Sequence, residues 1–249
     1  MVGKSAYYGF PQKDVGPHES SAAKEVREVF SRHSRRYGSR RVHAEIKAGG
    51  KLTGRHKVRR LMREQGPRAI QPKRFVPRTT DSRHGKRMSP NLLLERNLPP
   101  SKPDGVVVGD ITYLPPASGG WAYLAAWEGL YSRVVVGWQV EETLEEKLAV
   151  GAMQKVISRR RPRKGLIAHS DGGGQCVGEA FRRLLELHDY QQSMSRAAES
   201  YDNAFAGSLF SRYKAELPEE GVFPDVEEAR METFNYIEGY YNRTVAIRH

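Results

Sequence analysis

Two aspartates in apolar surroundings are the residues of this sequence best suited to chemistry. Asp110 lies within the apolar and β-branched run Val108–Tyr113, and Asp171 ends a short apolar segment and precedes three glycines. A carboxylate in an apolar strand is costly to bury unless it is paired or binds a metal ion. If the two strands are neighbours, both carboxylates converge on one point and suit a hard divalent cation. Taken alone, each aspartate is more often a turn or capping residue.

The elements that must position these aspartates belong to a predicted mixed α/β domain over residues 105–245. Apolar patterning predicts five strands and four helices, and it places both aspartates at strand ends. This order of elements indicates a mixed sheet covered on both faces. The predicted strands are 106–113, 121–126, 133–138, 165–168 and 191–194, and the predicted helices are 144–157, 177–188, 202–214 and 226–241.

Residues 20–66 have the pattern of three short helices, with Ser21 and Thr53 as expected N-caps and Gly66 as a stop. The third helix directs Val58, Leu61 and Met62 inward and a basic face outward. Three helices ending in a basic one resemble a helix-turn-helix module, whose last helix enters the major groove. A helical bundle with a solvated basic face fits the spacing equally well. The basic face consists of Arg55, Lys57, Arg59, Arg60 and Arg63.

The charge of the chain is concentrated in its first part. Residues 1–100 hold 24 of the 41 basic residues and only 8 of the 29 acidic ones. This asymmetry, with a pI of about 9.8, favours a nucleic-acid partner over the alternative of a solubilising basic tail. Residues 67–104, which include Lys73 and Arg74, read as a basic linker that either follows a phosphate backbone or is simply flexible.

Several classes of protein are excluded by composition. The mean hydropathy is −0.66, and no apolar stretch is long enough to span a membrane. The first ten residues show no apolar signal region, and a single cysteine, Cys176, permits no internal disulfide. We therefore expect a cytoplasmic protein, associated with the nucleoid when bound to DNA.

A series of ordered motifs closely resembles the second-frame transposase of the bacterial "insertion sequence three" family. The resemblance covers residues 20–245 and includes Tyr37–Arg41 and Val58–Glu64 in the N-terminal part. In the larger domain the matching segments are Gly109–Tyr113, Trp121–Leu124, Tyr131–Arg133, Val136–Trp138, His169–Asp171, Ser193–Arg196, Tyr201–Ala204, Lys214–Glu216 and Tyr240–Arg243.

The resemblance implies a retroviral-integrase-like core of the ribonuclease-H-like fold, preceded by a helix-turn-helix-like module. It implies an Asp, Asp, Glu triad that holds two Mg²⁺ or Mn²⁺ ions for in-line phosphoryl transfer. Asp110 matches the first position and Asp171 the second. The implied partner is double-stranded DNA, as terminal inverted repeats and target, with self-association on the DNA. Arg40 and Arg41 join the basic residues above as expected DNA contacts.

The third catalytic position of the triad is occupied by Gly207. At about 100° per residue, Glu216 lies roughly opposite position 207 on the helix, and Asp202 is about 140° off that face. Glu199 is expected to precede the helix. None of these acids is a good replacement for the third catalytic carboxylate. Further departures from the family pattern, which also indicate impaired catalysis, occur at Val107, Gly129, Gly172 and Cys176. We therefore predict a decayed or truncated copy with impaired catalysis.

Other residues permit two interpretations each. Lys214 and Arg212 either contact DNA phosphates or lie on a solvated helix face, and His169 either orients Asp171, contacts DNA or packs beside its strand. The three tryptophans, Trp121, Trp127 and Trp138, are expected in the core. The rival functions are a DNA-binding remnant or inhibitor without catalysis, and a ribonuclease-type hydrolase that would leave the N-terminal module unexplained.

Overall fold

The computed structural model describes residues 20–70, 88–95, 102–117, 119–196, 204–217 and 222–245. The chain divides into two compact units, residues 1–71 and 72–249. The helices are α1 (Ser21–Arg32), α2 (Ser39–Ala48), α3 (Arg55–Gln65), α4 (Leu92–Glu95), α5 (Glu146–Arg160), α6 (Glu179–Leu187), α7 (Ala204–Glu216), α8 (Val226–Phe234) and a π-helix (Asn235–Val245). The strands are β1 (Val106–Leu114), β2 (Ala122–Gly129), β3 (Val135–Glu141), β4 (Ile167–Ser170) and β5 (Gln191–Met194).

The first unit is a three-helix module, as the sequence predicts. Val58, Leu61 and Met62 of α3 are buried against the other two helices, and Gly66 ends α3 with a φ of +79°. Both expected N-caps are wrong by one residue. Ser20 caps α1 through its hydroxyl, which accepts from the Ala23 amide at 3.2 Å, and Gly54 precedes α3 without a side-chain cap.

A buried polar stack joins α1 to α2 and explains the tyrosine of the Tyr37–Arg41 motif. The Tyr37 ring is 1% exposed and stacks on His33 with ring centroids 3.7 Å apart. His33 Nε2 lies 2.6 Å from one carboxylate oxygen of Glu45, and Arg32 lies 2.9 Å from the other. The break between the helices is therefore a packed junction.

The second unit contains a five-stranded sheet of order β3-β2-β1-β4-β5. β1, β2 and β3 pair antiparallel, whereas β4 and β5 run parallel to β1. The predicted mixed sheet is confirmed, and β1 and β4 are neighbours, which is the condition for Asp110 and Asp171 to meet.

Helices cover both faces of the sheet. α5 and α6 cover the face that carries Trp127, while α7, α8 and the π-helix cover the face that carries Trp138. Gly109 permits the first packing, because a Cβ there would stand 2.4 Å from the Trp127 ring on the neighbouring strand. The expectation that all three tryptophans lie in the core is wrong for Trp121, which is 53% exposed.

The C-terminal helix differs from the predicted single helix 226–241. The α-helix ends at Phe234, and a π-helix follows from Asn235 to Val245. This segment closes the edge of the sheet: the Asn242 side chain accepts from the Val135 amide at 2.9 Å and donates to the Val135 carbonyl at 3.0 Å. The asparagine of the Tyr240–Arg243 motif thus bonds to both backbone polar groups of a residue on the edge strand β3.

Part of the predicted linker packs on the core. The Met194 amide of β5 donates to the Pro90 carbonyl at 3.2 Å, and the Leu92 amide donates to the Ser193 hydroxyl at 3.0 Å. Residues 88–95 therefore belong to the second unit, whereas residues 71–87, including Lys73 and Arg74, lie outside the described residues. Within the described part of the chain, no helix has the length and apolarity needed to cross a membrane.

Candidate active site

The two aspartates meet where β4 ends beside β1. Asp110 is the fifth residue of β1, in the interior of the strand and not at its end as expected. β4 stops at Ser170, opposite Gly109, so Asp171 is the first residue beyond β4 and comes alongside Asp110. Asp110 faces the side of the sheet that α7 covers, because its register partner Ala126 packs in that core.

The charge of Asp171 acts on the carboxyl group of Asp110. Burial, followed by the charge of Asp171, raises the pKa of Asp110 to about 8, while the Lys214 charge and a hydrogen bond from the Ile111 amide at 2.7 Å oppose the shift. Asp171 Oδ1 accepts from the Gly173 amide at 3.1 Å, which fixes the turn that follows β4. Two like charges held this close favour a proton or a cation between them.

Position 207 lies on the same flank of α7 as Lys214, the residue whose charge acts on Asp110. Lys214, whose charge acts on Asp110, follows Gly207 by seven residues and so returns to within about 20° of the same direction. Gly207 is exposed, and a Cβ built there would have no heavy atom within 4 Å apart from its own helix backbone and chain neighbours. Within the described part of the chain, no side chain therefore occupies the space beside position 207.

Among the alternative acids, Glu216 does not reach this flank of α7. Glu216 is buried on the opposite flank, where it accepts a hydrogen bond from the Tyr236 hydroxyl at 3.0 Å. Glu199 and Asp202 lie outside the described residues. Among the residues that the structure describes, no cluster of three or more His, Cys, Asp or Glu side chains could hold a metal ion. The described residues therefore supply two of the three carboxylates that the family's two-ion site requires.

Glu128 is a second buried carboxylate on the same face of the sheet, and the sequence analysis missed it. It is 2% exposed, and one of its oxygens lies 3.1 Å from Arg133 Nη1. Burial raises the pKa of Glu128 to about 7, against the charges of Arg133 and Arg212. The argument that selected Asp110, an acid within an apolar strand, would also have selected Glu128.

We predict that Glu128 makes the stability of the protein depend on pH. Because its pKa is raised in the folded state, its stabilising effect is complete below its unfolded pKa of about 4.5 and is lost as pH rises through 7. Urea unfolding from pH 4 to pH 8 should show the free energy of unfolding of the wild type falling relative to Glu128→Gln, by on the order of 3 kcal/mol.

The exposed Glu179, which pairs with Arg183 at 2.6 Å, supplies the control, because Glu179→Gln should show no such slope. A constant difference between wild type and Glu128→Gln across this range would mean that Arg133 keeps Glu128 ionised throughout.

The expected DNA contacts fall into distinct environments. Arg55, Lys57, Arg59, Arg60 and Arg63 are exposed on α3, and Arg60 pairs with Glu64 at 3.4 Å. In α2, Arg40 is exposed, whereas Arg41 lies over the Tyr37 ring at 5.5 Å. Lys214 is half-buried near Asp110, so it belongs to the candidate site and not to an open helix face.

His169 and Cys176 are packed residues. The His169 ring is fully buried between two hydroxyls, with Ser193 Oγ 2.8 Å from Nδ1 and Ser195 Oγ 3.2 Å from Nε2. Burial and the nearby Asp171 charge raise the pKa of the Cys176 thiol to about 12. Neither residue is available to react.

Comparisons with known proteins agree with this architecture. Residues 100–200 match the family model "Integrase core domain", and residues 17–75 match "HTH-like domain". The chain is 37% identical over 215 residues to "Transposase InsF for insertion sequence IS3A" of Escherichia coli (strain K12), covering 86% of this chain and 74% of that protein. It is 32% identical over 245 residues to "Insertion element IS600 uncharacterized 31 kDa protein" of Shigella sonnei, covering 97% and 89%.

Among solved structures, "Crystal structure of the Mos1 Strand Transfer Complex" aligns with a TM-score of 0.48 at 16% identity, covering 85% of this chain and 74% of that one. The sequence relatives are decisive, since their identity extends over both the helical module and the core. The chain belongs to the IS3 family of DNA transposases, with a helix-turn-helix-like module followed by an integrase core domain.

Proposed function

We propose that this transposase-family protein binds the ends of a DNA element through residues 20–66 but cleaves and transfers strands poorly, because Gly207 leaves its metal site incomplete. The observation that carries the proposal is the missing side chain at Gly207, which shares a helix flank with Lys214, the residue whose charge acts on Asp110. Apart from position 207, the described features of the core support a working arrangement: adjacent β1 and β4, converging carboxylates and a nearby Lys214.

DNA binding is supported by the first unit. The exposed basic face of α3 stands opposite a complete apolar core, as the last helix of a helix-turn-helix module requires. The partners that we propose are double-stranded terminal inverted repeats and target DNA, with self-association of the protein on that DNA. Such a face would neutralise phosphates and orient the module on the duplex.

The cofactor that the family implies is a pair of Mg²⁺ or Mn²⁺ ions, and the residues present fit it only in part. Asp110 and Asp171 are hard oxygen ligands at one point, but α7 offers no carboxylate to them within the described residues. We therefore assign no step of the reaction to a bound ion in the protein as it stands.

A second function, a DNA-binding protein that occupies element ends without cutting them, is favoured by the same two observations. The basic face of α3 is intact, whereas position 207 lacks a side chain. Such a protein would inhibit transposition by an active relative that uses the same ends.

Asp110→Asn separates the two functions, because it removes a carboxylate from the site and leaves α3 unchanged. The substrate for the assay is duplex DNA that includes the sequences on either side of the gene encoding this protein, and Mn²⁺ is added. If the protein is a weak enzyme, wild type shows slow cleavage that Asp110→Asn abolishes, and both proteins shift the DNA equally in a gel.

No cleavage by either protein, with equal gel shifts, supports the inhibitor. Absence of DNA binding by both would contradict the proposal in either form.

A further inference from the structure

Arg133 has a backbone conformation that its residue type disfavours. It lies in the turn between β2 and β3 with a φ of +58°, and its amide donates to the Gly129 carbonyl at 2.8 Å. Glycine or asparagine usually occupies such a left-handed position, because a Cβ there is crowded by the backbone. An arginine in this place suggests that its side chain is needed.

The Arg133 side chain connects strand β2 to the first turn of α7. Its guanidinium carbon lies 4.3 Å from the centroid of the Phe205 ring, and its Nη1 lies 3.1 Å from the buried Glu128 carboxylate. The second contact is an ion pair without aligned hydrogen-bond geometry. Glu128 also experiences the charge of Arg212, further along α7.

These contacts lie on the opposite flank of α7 from position 207. Ala206, Phe210 and Tyr213 point into the core between the two flanks. At about 100° per residue, Phe205 and Arg212 lie roughly 140° to 180° away from Gly207 and Lys214 around the helix axis. A contact that prevents α7 from rolling on one flank also determines where the other flank points.

We propose that Arg133 is a positioning residue: by stacking on Phe205 and pairing with Glu128, it sets the rotation and first turn of α7, so that position 207 and Lys214 face Asp110. This gives the Tyr131–Arg133 motif a role that strand formation alone does not explain. The proposal rests on the proposed function only in taking the aspartates as the site; the contacts themselves do not depend on it.

Hydrogen exchange of the full chain without DNA or metal tests the proposal. Arg133→Gly suits the left-handed backbone and removes the contacts with Phe205 and Glu128. We expect the amides of residues 204–211 to exchange about three- to tenfold faster than in the wild type. Arg161→Gly is the matched control, because Arg161 also has a left-handed φ of +47° at the end of α5. It should leave the exchange of α7 unchanged, and equal α7 exchange in the two variants would overturn the proposal.

Phe205→Leu provides a test that leaves the buried ion pair intact. It should accelerate exchange of the first turns of α7 as Arg133→Gly does, and the double variant should add little, since the two residues act together. Phe205→Trp keeps an aromatic face for the guanidinium and should restore slow exchange.

Equal exchange in Phe205→Leu and Phe205→Trp would overturn the stacking role. Because no DNA enters these measurements, loss of the proposed enzymatic function would leave their outcome unaffected.

Discussion

Gly207→Glu should convert the protein into a far more active transposase, raising Mn²⁺-dependent cleavage of its element ends by on the order of a hundredfold or more over the wild type. The physical reason is that position 207 shares a helix flank with Lys214, whose charge acts on Asp110. A glutamate on this flank would bring a third carboxylate toward Asp110 and Asp171, where the wild type has none among its described residues.

Among the residues that the structure describes, none obstructs the first atom of the new side chain. A Cβ at position 207 would have no heavy atom within 4 Å outside its own helix and chain neighbours, and the residue is exposed. Replacing a helical glycine should also stabilise α7 by up to about 1 kcal/mol. Gly207→Glu is therefore expected to fold at least as well as the wild type.

The matched control is Gly207→Gln, which has a similar size and helix propensity but no charge. It should reproduce the gain in stability without the gain in cleavage, and a quenched time course on end-labelled DNA distinguishes the three proteins. If the wild type already cleaves as fast as Gly207→Glu, then position 207 is not the missing ligand and the account of an impaired site is wrong.

The fold was predictable because its elements follow from local patterns. The predicted strand 191–194 coincides with β5, and the other predicted strands lie within two or three residues of those observed. Ile167 and Ala168 are buried in β4, and a short apolar run of this kind is sufficient to predict a buried strand. The convergence of Asp110 and Asp171 needed one further condition, the pairing of β1 with β4.

The features that escaped prediction depend on contacts distant in sequence. Phe205 and Arg133 are 72 positions apart in sequence, and no local pattern indicates that their side chains stack. The C-terminal π-helix is similar: Asn242 bonds to Val135 of β3, a partner 107 residues away. Trp121 is apolar enough for the core, yet it lies just before β2, where its ring meets the Tyr113 ring edge-on and remains half exposed.

Removing two charges from α3 should weaken DNA binding strongly without affecting the core. Arg55 and Arg59 are exposed, lie one turn apart on the N-terminal half of α3, and have no ion pair within the described residues. If each arginine neutralises one DNA phosphate, the double substitution Arg55→Ala and Arg59→Ala should lower the affinity for DNA by on the order of a hundredfold near 0.1 M salt. The slope of log affinity against log salt should then fall by about 2. Alanine preserves the helix, so circular dichroism should be unchanged.

An equal loss of charge elsewhere is the control for that experiment. Arg163 and Arg183 are exposed in the second unit, and replacing both by alanine removes the same net charge from a different surface. If binding is mediated by α3, this pair of substitutions should change the affinity only slightly, as measured by fluorescence anisotropy over a salt series. Equal losses from both pairs would mean that overall charge drives binding, and the helix-turn-helix role of α3 would have to be abandoned.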